Sequence, residues 1–175
     1  MKRRILLLII VLISFGCKTD SNEKKKQDEV EKETDLKKEF VVKMKFKTNR
    51  SDNIKMVLYN IISDEYQNKY IVINESIVLT SEMDMLTANF GENISDNFRI
   101  NFGEKEIKEI EIESIELSFD KNTLLIEPSE IINYFDFNEY IVQDPISYKL
   151  QTKRIEEKLH PIIYLKPQYM RELQN

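Results

Sequence analysis

Residues 40–47, Phe-Val-Val-Lys-Met-Lys-Phe-Lys, set Phe40, Val42, Met44 and Phe46 on one side of an extended chain and Val41, Lys43, Lys45 and Lys47 on the other. Successive side chains of a strand point to opposite faces, so a period of two writes a strand with one buried and one wet face. A face of this kind is buried only against a second layer, which commits the domain to packed sheets.

The same period continues downstream. A polar turn over residues 48–53 leads into a strand in which Ile54, Met56 and Leu58 alternate with Lys55, Val57 and Tyr59. Residues 70–79 form a third, rich in β-branched side chains. Leu86, Ala88 and Phe90 mark a fourth, and Phe98, Ile100 and Phe102, alternating with Arg99 and Asn101, a fifth after a loop at 91–96.

The longest run, residues 107–119, changes phase. Ile110 and Ile112 are even, whereas Ile115, Leu117 and Phe119 are odd. One strand keeps both sets on one face only by inserting a residue, which places a β-bulge near Glu113-Ser114. Asp120-Lys121-Asn122 turns into a short strand over 123–126. Pro128 and Ser129 open a short helix at about 130–135, with Ser129 as its cap and Pro128 just outside. Residues 160–165 form the last strand.

Many short strands, polar turns and few helices predict an all-β fold, an antiparallel sandwich over residues 40–175 with at most one or two short helices. The order Phe98-Arg99-Ile100-Asn101-Phe102-Gly103, followed by a long isoleucine-rich strand with acidic neighbours, resembles the small jelly-roll modules of bacterial envelope proteins. Carbohydrate-binding modules share that architecture, so the resemblance implies a jelly-roll-like sandwich and a binding role.

Outward of the domain, residues 17–39 change character. Val30 and Leu36 are the only sizeable aliphatic residues there, among interleaved lysines and acids. Such a stretch buries too little apolar area to offset the entropy of ordering it, and is expected to be a solvated tether. At the start, Lys2, Arg3 and Arg4 precede an apolar run over 5–15 that ends at Gly16-Cys17. The run is shorter than the about 20 residues of a membrane-spanning helix. It matches the roughly 7–15 residues of a signal-peptide core.

Gly16-Cys17 resembles the lipobox of bacterial lipoproteins, although Ser14 and Phe15 depart from its usual residues. The resemblance implies removal of residues 1–16, lipidation of Cys17 and partnership with a membrane. Cys17-Lys18-Thr19-Asp20 is similar to the export signal of surface-exposed lipoproteins in the Bacteroidota. The expected location is the cell envelope, at the outer membrane; surface and periplasmic orientations both stay open. A second acyl chain turns a weak anchor into a lasting one, since each buried methylene contributes about 0.8 kcal/mol. Lipidation also uses the sole cysteine.

Cleavage removes three positive charges and takes the net charge from −5 to −8. That balance argues against nucleic acid as a partner, because such binding is dominated by cationic contacts to phosphate.

Catalytic patterns are scarce, and no cofactor or metal site is expected. A Ser-His-Asp triad needs an imidazole, and His160, the only histidine, reads as a surface or structural residue beside Pro161. Glu104, Glu106, Glu109, Glu111, Glu113 and Glu116 read as the wet face of a strand and its turn. Glu92 and Asp96 match no calcium loop. The remaining candidates are planar polar and aromatic groups: Tyr66, Tyr70 and Arg99 as a ligand-binding set. The alternative for Arg99 is a cross-strand pair with Glu111 or Glu113. The expected function is a non-catalytic, membrane-anchored binding module for carbohydrate. Its rivals are a structural or interaction subunit of an envelope complex and, further off, a carboxylate-dependent glycoside hydrolase.

Overall fold

The computed structural model describes residues 38–60 and 69–175. Cys17, the tether as far as residue 37 and Tyr66 lie outside the described residues. Two antiparallel sheets pack face to face. The first carries β1 (Phe40–Thr48), β4 (Asp84–Asn89), β6 (Glu109–Phe119), β7 (Asn122–Ile126), β9 (Ile141–Gln143) and β10 (Leu150–Thr152), in the order β4-β1-β6-β10-β9 with β7 also on β6. The second carries β2 (Asp52–Asn60), β3 (Lys69–Ile77), β5 (Asn97–Asn101), β8 (Phe135–Phe137) and β11 (Ile162–Leu165), in the order β3-β2-β5-β11-β8. This is the all-β antiparallel sandwich that the alternation predicts.

The alternation becomes the core directly. Phe40, Val42, Met44 and Phe46 are buried against Ile54, Met56 and Leu58 of the facing sheet, and Phe98 and Ile100 join them. The rings of Phe40 and Phe98 meet edge to face, with centroids 5.6 Å apart.

The phase change in β6 is a bulge at the expected place. Lys45 pairs with Ser114 and Phe46 with Ile112, so Glu113 is the extra residue. Ile110, Ile112, Ile115 and Leu117 are thereby all buried, and Phe119 is partly buried against the same core. The other face of β6 meets lysines. Lys43 pairs with Glu116 at 2.8 Å, Lys45 with Glu113 at 2.7 Å and Lys47 with Glu111 at 3.1 Å. Glu109 and Glu111 both reach Lys149.

Three local readings are corrected. Ser129 caps nothing. A 3-10 turn at Pro128–Glu130 has Glu127 as its N-cap, in a capping box with Glu130, and Pro128 lies inside it. α1 then covers only Ile131–Tyr134. The last strand begins at Ile162, because the carbonyl of Pro161 and the backbone at 160–162 are engaged by Phe102 and Asn138. A helix that the alternation does not announce, α2 (Pro167–Gln174), buries Met170 and Leu173 at the end of the chain.

Candidate functional site

The outward face of the second sheet gathers the chemistry. Register sets Tyr59 beside Tyr70 on β3, and Val57 beside Arg99 on β5. Arg99 in turn lies beside Tyr164 on β11. Because directly paired residues share a face, Tyr70, Tyr59, Arg99 and Tyr164 form one oblique strip across four strands. The rings of Tyr59 and Tyr70 are 6.0 Å apart and tilted by 49°. The Arg99 guanidinium lies 4.6 Å above the Tyr59 ring.

Arg99 therefore does not pair with Glu111 or Glu113. Those glutamates belong to the other sheet and are held by lysines, whereas Arg99 is oriented by stacking on an aromatic face. Its Nε is the one buried side-chain nitrogen or oxygen without a hydrogen-bond partner among the described residues. Of the expected set, Tyr70 and Arg99 share the strip, with Tyr59 between them. Tyr59 and Tyr164 were not singled out from the sequence, although their parity with Val57 and Ile162 places them on this face.

Beyond Tyr164 the strip opens into a cleft of about 620 Å³, lined by Tyr140, His160, Glu104 and Arg154 among others. The side chain of Asn138 positions His160: it donates to the His160 carbonyl at 2.7 Å and accepts from the Ile162 amide at 3.2 Å. Opposite, Asn101 accepts from the Gly103 amide at 2.8 Å, in a turn where Gly103 holds a φ of +90° that suits glycine. That turn presents Glu104. Its carboxylate accepts from Asn101 at 3.0 Å and stands 2.5 Å from Nδ1 of His160.

Burial opposes ionisation of Glu104, but the hydrogen bonds from Asn101 and His160 outweigh it and hold the carboxyl below its ordinary pKa. Arg154 forms the opposite rim, donating to the carbonyls of Glu157 and Lys105 at 3.1 and 3.3 Å. The rim turn itself is strained: Glu156 and Glu157 have φ values of +46° and +63°.

No protein-family model, curated protein or solved structure matches this chain.

The site's chemistry thus rests on its own geometry. Histidine with a carboxylate supplies two of the three groups of an acyl-transfer triad, and among the described residues no serine, threonine or cysteine lines the cleft. A glycosidase needs a general acid whose pKa is raised, and the lowered carboxyl of Glu104 does not suit that one role. Among the described residues no group of three or more metal-binding side chains comes together. Asp96 is paired with Arg171 at 3.2 Å. Tyr134 packs on Tyr169, with ring centroids 4.4 Å apart, and Tyr148 sits in a turn with φ of +58°. The strip itself is a surface of aromatic rings and planar polar groups carried on four adjacent strands.

Proposed function

We propose that this chain is a lipid-anchored envelope protein whose β-sandwich is a non-catalytic binding module for carbohydrate. The observation that carries the binding reading is the strip Tyr70–Tyr59–Arg99–Tyr164 leading into the Glu104–His160 cleft. Sugars are bound by aromatic faces against their C–H surfaces and by planar polar groups that hydrogen-bond pairs of hydroxyls. Tyrosine supplies an apolar body with a polar tip, and the Arg99 guanidinium supplies several donors in a fixed fork. The anchoring reading rests on the cationic start, the short apolar run and Cys17.

A glycan array, followed by calorimetry with the best oligosaccharide, tests the module. Binding should weaken at least tenfold in Arg99→Ala and Tyr70→Ala while the circular dichroism spectrum stays that of the parent chain, so that the loss reports contact and not unfolding. Arg99→Lys should fail to restore it, because an ammonium lacks the planar fork. Retained binding in both alanine variants removes the strip from the reading, and turnover of the oligosaccharide overturns the non-catalytic assignment. For the anchor, Cys17→Ala should move the protein from the membrane to the soluble fraction. A free Cys17 thiol on the mature wild-type chain, found by intact mass, refutes it.

A further inference from the structure

Among the described residues β3 is the longest edge strand, and its only charges are those of Lys69 and Glu75 near its ends. The first sheet ends in β4, six residues long, β9, three, and β7, five, which branches from β6; the second ends in β8, three residues, and β3, nine. Folded proteins protect exposed edges by shortness, bulges, proline or charge, because unpaired backbone groups there template a further strand. β3 has no proline, and its register with β2 runs unbroken from Asn60–Lys69 to Asp52–Ile77. Residues 70–74, Tyr-Ile-Val-Ile-Asn, carry no charge. Tyr70 is 61% and Val72 43% exposed, and Ile71 and Ile73 are only partly buried.

We infer that β3 pairs antiparallel with β3 of a second copy of this chain, about a two-fold axis at Val72. Only this register is self-complementary. It sets Ile71 opposite Ile73 and Tyr70 opposite Asn74, and at the next positions outward the sequence sets Lys69 opposite Glu75. Centring the axis on Ile71 sets Lys69 against Ile73; centring it on Ile73 sets Glu75 against Ile71. Each of these alternatives places a charge opposite an isoleucine. The two flanking charges that discourage a foreign strand thus become complementary when the partner is another copy. The axis stands perpendicular to the sheet, so the two five-stranded sheets join with both tyrosine–arginine strips on one face.

The test uses the full chain with Cys17→Ser as background. Directly opposed residues of antiparallel strands have Cα atoms about 4.5–5.5 Å apart, within the reach of a disulfide, about 4.4–6.8 Å. Under mild oxidation Val72→Cys should give a disulfide-linked dimer as the dominant species. Ser76→Cys, displaced from the axis, should stay unlinked. Val72→Lys sets two ammonium groups face to face at an exposed position. It should sediment as a monomer with an unchanged circular dichroism spectrum, where the parent chain sediments as a dimer. A parent chain that stays monomeric through the dilution series overturns the inference. Equal cross-linking of Val72→Cys and Ser76→Cys, or a dimer that survives Val72→Lys, does the same.

Discussion

The ammonium of Lys108 is hydrogen-bonded to the carboxylate of Asp52, and both side chains are enclosed, with 0% and 2% of their surface exposed. The same carboxylate accepts from the backbone amides of Asn53 at 2.7 Å and Lys105 at 3.0 Å, and Lys108 also donates to the carbonyl of Phe102 at 2.9 Å. Asp52 opens β2 and Lys108 precedes β6, so the pair ties the turn that presents Glu104 to both sheets. Gly103 permits this closeness, since a Cβ there would collide with the Asp52 carboxylate.

Breaking the pair from one side should be far worse than removing it whole. Asp52→Asn and Lys108→Met should each cost about 3–5 kcal/mol, because each strands a buried charge or its donors, while the double variant should recover much of the loss. Urea unfolding of the three variants measures this. Strictly additive losses would show that the two groups do not act as a pair.

Acid should weaken the fold through the same groups. Burial opposes ionisation of Asp52, but hydrogen bonds from Lys108 and from the Asn53 and Lys105 amides outweigh it and set its folded pKa below the ordinary value. Glu104 is lowered as well. Their unfolded values are about 3.9 and 4.3. A depressed folded pKa contributes stability that is fully present above the unfolded value and is lost as pH falls through the folded one. Thermal midpoints should therefore hold steady from neutral pH to about 5, then drop. The Asp52→Asn/Lys108→Met variant should show a shallower acid limb; an identical limb would assign the loss to other carboxyls.

Deleting Glu113 should be more damaging than truncating any of its neighbours. It removes the extra residue, so either Ile110 and Ile112 or Ile115 and Leu117 must turn toward solvent. Ile112→Ala and Ile115→Ala should each cost about 2–5 kcal/mol. The deletion should leave no cooperative thermal transition. A deletion variant that melts like the parent chain would show that the bulge is dispensable.

The rim turn offers a gain. Glu156 and Glu157 both hold positive φ in a two-residue turn closed by reciprocal hydrogen bonds of 2.9 Å between Ile155 and Lys158. Asn-Gly is the preferred pair for such a turn, and non-glycine residues pay roughly 1–2 kcal/mol each in the left-handed region. Glu156→Asn with Glu157→Gly should raise the thermal midpoint by several degrees in calorimetry. No change would mean that the glutamates are compensated elsewhere.

Much of this protein was legible in the chain of residues alone. Period-two alternation set β1 to β7, β11, their buried faces and the sandwich, because burial of one face is a local constraint; β8, β9 and β10, three residues each, are too short to show a period. The shift from Ile112 to Ile115 located the bulge for the same reason. The short cap at Ser129 misled, since Glu127 competes for the same turn through its capping box with Glu130. Partners across the fold were decided only by tertiary structure. Arg99 reads equally well as a match for any nearby glutamate until strand order puts Glu111 and Glu113 on the other sheet and Tyr59 beneath the guanidinium. Glu104 and His160 lie 56 residues apart in sequence, and nothing local to either announces the other. Alternation records which side of a strand is wet; which strands stand next to each other is fixed by how the whole set closes over one core.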